Sequence, residues 1–224
     1  MRRASGEELV GVYTVPEVCR ILQPTMTARK VHYWLDTDLL SDAVVHGKPG
    51  TPTLLSFRQL LEIRTLQHLR DNLDISLQKA RGAYRYVLDY LFDDTWSALR
   101  FLRGIDGALV AMIATGDSMV VPGGQGVWGA ILDELNVHAQ NTRTAWETGV
   151  LTISGRHHVV SNARVQAGAP TVKGTRIETA TVASFAVEKT FTDSTVTEIS
   201  EAFPRLLEPA IVDALEFEGC RAVA

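Results

Sequence analysis

The side chains best placed for chemistry in this chain are cations and hydroxyls rather than nucleophiles. Thr25, Thr27, Arg29, Lys30, His32 and Tyr33 fall within one stretch of nine residues, and Lys48 and Arg58 follow. Threonine hydroxyls and free amides at a helix start can meet phosphate, and long cationic side chains reach phosphates or base edges. That is the chemistry of binding duplex DNA. Arrangements for catalysis are missing: there is no nucleophile–base pair, no metal triad and no cofactor loop. The chain is therefore expected to be no enzyme and to need no cofactor. Pro122-Gly123-Gly124-Gln125-Gly126 is not followed by Lys-Ser or Lys-Thr, so it reads as a flexible loop and not as a phosphate-binding P-loop. His157-His158 has no carboxylate or thiol at ligand spacing. Cys19 and Cys220 lie roughly two hundred positions apart, and read as small buried apolar groups or surface thiols instead of metal ligands.

Helices must hold the cations in place, and their start signals are legible. Thr14 with Glu17 forms a capping box, and Pro16 is tolerated in the first turn because its missing amide has no intrahelical partner. Val15, Val18 and Ile21 or Leu22 then repeat at helical spacing, and this helix stops near Gln23-Pro24. A second start lies at Thr25 or Thr27. It places Val31, Trp34 and Leu35 on one face and Arg29, Lys30, His32 and Tyr33 on or near the other. Two short helices across a tight turn, the second basic and aromatic, are what a major-groove reader requires. Periodicity alone leaves a solvated amphipathic helix of some other all-helical domain equally open.

The next stretch favours the DNA reading. Val44 to Leu55 reads as two extended segments around Gly47-Lys48-Pro49-Gly50, a hairpin with a cation at its tip that would act as a wing beside the groove. Ser56-Phe57-Arg58-Gln59 is a further capping box. It opens a helix with Leu60, Leu61, Ile63, Leu66 and Leu69 on its apolar side, and another helix runs from Ser76 to about Leu91.

Residues 12–85 in this order resemble the MerR-like winged-helix family. The resemblance rests on Arg29-Lys30-Val31-His32-Tyr33-Trp34, then Leu39-Leu40, Ser56-Phe57 and Leu66-Gln67-His68-Leu69-Arg70. It implies that Arg29 and Tyr33 point toward DNA. His32 stands where the family usually has another Arg, and Asp38 where it usually has Gly. The long coiled-coil helix and metal-binding cysteines of the metal sensors are missing, so a metal-responsive activator is not implied.

Farther on, Trp96–Arg103 and Ala108–Ile113 read as strands around a Gly104-Ile105-Asp106-Gly107 hairpin signal, and Ser118–Val121 as a third. The last third reads as a small helical module. An apolar segment lies around Val182–Val187, a capping box at Thr195–Glu198, a helix end at Ala202-Phe203-Pro204, and a last helix over about Glu208–Glu218. Its pattern is Gly168-x-Pro170, Gly174-Thr175-Arg176-Ile177, Glu198-Ile199, Phe203-Pro204, then Ile211, Ala214-Leu215 and Phe217-Glu218. Residues 158–218 thus resemble the domain-of-unknown-function family numbered four-three-three, here similar to VapB-type antitoxins paired with PIN-domain ribonuclease toxins. Asn162-Ala163 stands where that family often has Asp-Pro. Arg176 reads as a buried, paired structural arginine or as a contact to a partner, and Phe217 as a second partner contact.

Composition sets the frame for these expectations. The chain has 224 residues, 46% hydrophobic and 21% charged, the make-up of an ordinary globular protein. Residues 1–82 carry a net charge of +2 and residues 83–224 one of −6, which gives the overall −4. A mildly basic reader joined to an acidic remainder fits that split. No membrane-spanning run or signal-peptide core is present, so a cytoplasmic protein is expected. The expected fold is α+β and mainly helical. It comprises a winged helix-turn-helix over 1–92, a β-rich middle over 93–157, and a three-helix, helix-turn-helix-like bundle over 158–224. The expected function is that of an antitoxin that neutralises a PIN-domain ribonuclease toxin and, as a homodimer, binds double-stranded operator DNA to repress its own operon. The alternative is a stand-alone MerR-like regulator without a toxin.

Overall fold

The computed structural model describes residues 11–37, 39–41, 43–72, 74–90, 100–103, 109–112, 118–120, 141 and 144–223. Asp38, the strand start at Trp96–Leu99, the Gly104–Gly107 tip and the glycine-rich loop at Pro122–Gly126 lie outside the described residues. The architecture mixes helices with small sheets, an α+β arrangement. Among the described residues no helix is long and apolar enough to cross a membrane.

β1 (Val12–Thr14) leads directly into α1 (Val15–Ile21), where the capping box of Thr14 and Glu17 is formed as its spacing predicts. After the turn through Pro24 comes α2 (Ala28–Asp36), capped by Thr27, whose hydroxyl accepts from the Lys30 amide. The chain then makes a hairpin: Val45 bridges Leu54, and Lys48 bridges Thr51. β2 (Leu54–Ser56) returns antiparallel to β1, with Tyr13 opposite Leu55. Ser56 and Gln59 cap α3 (Phe57–Asp71), and α4 (Leu77–Tyr90) follows.

The middle strands β3 (Arg100–Arg103), β4 (Leu109–Met112) and β5 (Ser118–Val120) form an antiparallel meander in that order. The last part departs from a purely helical bundle. β6 (Val150–Thr152), β7 (Val159–Asn162) and β8 (Pro170–Val172) make a second antiparallel sheet, which crosses the division expected at residue 157. Strands this short offer too few alternating positions to stand out in sequence. Three helices follow: α5 (Thr179–Ala183), α6 (Asp193–Ala202) and α7 (Glu208–Phe217). The α6 cap is Thr192, with the Thr195 hydroxyl closing the box, so the helix begins before the expected Thr195–Glu198 signal. β9 (Thr190–Phe191) pairs in parallel with β10 (Arg221–Ala222), tying the chain end back to the domain.

One apolar core runs through both ends of the chain. Val15, Val18, Leu55 and Phe57 belong to the same buried cluster as Val159, Ile199, Ile211 and Leu215. Two polar contacts reinforce the junction. Tyr13 meets Ser161 at 3.0 Å, and the Arg20 guanidinium lies 2.6 Å from the Glu218 carboxylate and 5.5 Å from the Phe217 ring centre.

Candidate nucleic-acid interface

α2 is built to display cations. Its buried side holds Val31 and Trp34, while Arg29, Lys30, His32 and Tyr33 are exposed. Tyr33 is 50% exposed, high for a ring that could otherwise join the core. The outer face of one nine-residue helix thus presents two fixed cations, an imidazole and a phenol.

The hairpin stands beside this face. A cleft of about 480 Å³ opens between them, lined by His32, Leu35 and Asp36 of α2 and by residues 46–49 and 51–53 of the hairpin. Lys48 is exposed at the turn, where Gly50 takes a φ of +86° that side-chain-bearing residues resist. Gly47 is packed tightly, since a Cβ there would come 2.6 Å from the Thr53 hydroxyl oxygen, and its amide donates to that same oxygen at 3.1 Å.

A buried polar seam fixes the approach to the hairpin. Glu62 is fully buried on α3 and accepts from the Ser41 amide at 3.0 Å, the Ser41 hydroxyl at 2.8 Å and Arg58 at 3.0 Å. Gln59, also buried, donates to the Ser41 carbonyl at 2.8 Å. A buried carboxylate with three donors is satisfied, so the loop after α2 is held against α3.

The expected binding residues divide accordingly. Arg29, Lys30, His32, Tyr33 and Lys48 lie on α2 and the adjoining hairpin. Lys30 turns its ammonium back to the Thr25 carbonyl at 3.0 Å, leaving two further donors. Thr27 caps α2 and stands at its exposed start. Thr25 is committed within the fold: its hydroxyl donates to Asp71 at 2.6 Å and accepts from Gln67 at 2.7 Å. Arg58 is likewise engaged by Glu62, although its side chain remains 44% exposed. Two cleft residues were not anticipated, Asp36 and His46. Asp36 sits four positions after His32 on the same helix, and His46 two positions before Lys48 on an extended segment, spacings that place each pair on one face.

The residues expected to meet a partner behave differently from one another. Arg176 is exposed rather than buried and paired, on a turn where the Thr175 hydroxyl donates to the Val172 carbonyl and accepts from the Ile177 amide. Phe217 is only 2% exposed and lies beneath Arg20, so it contributes to the junction between the two ends of the chain. Among the described residues no group of three His, Cys, Asp or Glu could hold a metal ion.

No family model matches the sequence, and a search of curated proteins returns no relative. The fold is similar to that in the X-ray crystal structure of Rv2018 from Mycobacterium tuberculosis. The match has a TM-score of 0.58 at 15% identity, and covers 91% of this chain and 96% of that one. At this identity the likeness concerns the fold alone.

Proposed function

We propose that the protein is a DNA-binding transcription regulator. In this reading α1, α2 and the 45–54 hairpin act as a winged helix-turn-helix, with α2 in the major groove and the hairpin on the flanking backbone. The observation that carries it is the outward set of Arg29, Lys30, His32 and Tyr33 on a short helix whose other side is core, beside a hairpin tipped by Lys48. Such a face offers groups for base edges and for phosphates from adjoining elements. A homodimer would bring two of these faces to half-sites one helical turn apart, about 34–36 Å. Titration of the full chain with duplex DNA across a range of salt tests this reading. It expects log affinity to fall linearly with log salt, and binding that is absent at low salt contradicts it.

The likeness of residues 158–218 to VapB-type antitoxins supports a second role, neutralising a PIN-domain ribonuclease by stoichiometric binding. The exposed Arg176 turn is the surface offered for that contact. Co-expression with the neighbouring reading frame tests it: a co-purifying ribonuclease silenced in the complex supports an antitoxin. The stand-alone regulator is favoured by the junction at Tyr13–Ser161 and Arg20–Glu218, which gives the C-terminal part a structural task that needs no toxin.

A further inference from the structure

Arg29, His32 and Asp36 recur every three or four positions along α2, which sets them in one stripe down the helix. All three are exposed, and Asp36 lines the cleft beside the hairpin together with His32. A carboxylate is out of character on this cationic stripe. Asp36 is also the last residue of the helix, where unsatisfied carbonyls disfavour a negative side chain. Among the described residues it forms no hydrogen bond and no ion pair; Lys48 lines the same cleft without pairing with it. Glu17 and Glu62 differ in this respect, each accepting from groups of the fold that it caps or anchors. The contacts of the fold thus give Asp36 no structural task.

The stripe lies on the face proposed to meet DNA. Phosphates repel a carboxylate, so near the backbone Asp36 only subtracts from affinity. In the major groove it has a good match, because cytosine displays its N4 amino group there as a donor. Guanine and thymine present acceptor oxygens that repel the carboxylate, and adenine pairs its amino donor with the N7 acceptor, a combination that suits an amide. We propose that Asp36 is a specificity-determining residue of the α2 face, accepting from a cytosine amino group and rejecting other bases at that position. Asp36 follows Arg29 by seven positions. At about 1.5 Å per residue that is about 10.5 Å, or about three base-pair steps of about 3.4 Å. The cytosine is therefore expected about three steps from the base that Arg29 contacts. The inference rests on the DNA-binding reading and names what one residue of that face discriminates.

The test selects tight binders from a pool of randomised duplexes, using the full chain and its Asp36→Asn and Asp36→Ala variants. The unaltered chain is expected to fix a cytosine at one position. Asp36→Asn should move that preference to adenine, whose N6 and N7 an amide side chain meets bidentately. Asp36→Ala should leave the position open. Changing the selected cytosine should cost the unaltered chain roughly 5–150-fold in affinity, and the alanine variant almost nothing. On duplexes of unrelated sequence at low salt both variants should bind more tightly, by up to about fivefold, because a charge facing phosphate is gone. Selected duplexes without a fixed cytosine, or with one that persists in both variants, would overturn the assignment while leaving DNA binding in place. Tighter binding by the variants with an unchanged base preference would do the same, since the carboxylate would then only repel phosphate. A chain that is folded by circular dichroism and binds no duplex would overturn the DNA reading and the assignment together.

Discussion

The Tyr13 phenol and the Ser161 hydroxyl, 148 positions apart in the chain, lie 3.0 Å from each other in the protein interior. Ser161 spends its single proton on the Gly168 carbonyl at 2.8 Å. Tyr13 therefore donates to Ser161, and a relay of two hydrogen bonds joins β1 to the 3-10 turn at Gln166–Gly168. Gly168 has a φ of +94°, and a Cβ on it would come within 2.3 Å of the Tyr13 oxygen. The two ends of the chain meet here with no room for a larger residue.

Removing the relay from its two ends should cost different amounts. Tyr13→Phe removes one donor and leaves the Ser161 bond to Gly168 intact, a loss of about 1 kcal/mol. Ser161→Ala strands both the phenol and the Gly168 carbonyl in the interior, and should cost about 2–3 kcal/mol. Urea unfolding of the two variants measures the difference, and equal losses would contradict the relay.

The Arg20–Glu218 pair should be sensitive to the shape of the cation as well as its charge. Glu218 is 6% exposed and accepts from Arg20 and, at 2.5 Å, from the Thr179 hydroxyl. Arg20→Ala leaves a nearly buried carboxylate short of its cation, at a cost of about 3 kcal/mol. Arg20→Lys should recover only part of this, because an ammonium does not stack over Phe217 as the planar guanidinium does. Thermal unfolding of the two variants checks the order.

Stability should fall at both ends of the pH scale. Burial raises the Tyr13 phenol above its ordinary value of 10.0, and the Glu17 charge adds to it. The folded protein thus keeps a proton that the unfolded chain gives up. Tyr13's contribution is complete below about pH 10 and is lost as pH rises further. His68 behaves in the opposite sense. Burial lowers it, the Asn72 hydrogen bond opposes this, and Arg64 adds to the lowering. Its contribution is present above about pH 6.5 and is lost as pH falls through the depressed value. Urea midpoints across pH for Tyr13→Phe and His68→Gln should show a flatter alkaline and a flatter acid limb respectively.

On the DNA face, Arg29→Ala should weaken binding to a preferred sequence by about 1–3 kcal/mol, the range of a good base contact. Lys48→Ala should weaken binding to all sequences alike and lower the salt slope by about 0.9. Gel-shift titrations at several salt concentrations separate the two effects. A changed sequence preference in Lys48→Ala, with the salt slope unchanged, would contradict a hairpin that touches backbone.

How much was legible in the sequence follows from the range of each interaction. The boxes at Thr14–Glu17 and Ser56–Gln59 close within four residues, and both form where spacing predicts them. The split of α2 into a core side and a cationic side is also local. Thr192 was missed because its box closes with a hydroxyl on Thr195 instead of a Glu or Gln. Thr25 reads as a phosphate ligand until α3 brings Asp71 and Gln67 to it. Tyr13, Arg20 and Phe217 gain their roles only when the two ends of the chain pack together, a juxtaposition that no local pattern encodes.

In the function proposed above, the outer face of α2 and the 45–54 hairpin bind duplex DNA. Amide chemical-shift mapping on the isotope-labelled chain, titrated with a mixed-sequence duplex at low salt, tests it most directly. The largest shifts should fall on Ala28–Asp36 and on the hairpin around Lys48, and added salt should reverse them. Shifts concentrated on α6 and α7, or none at all, would contradict it.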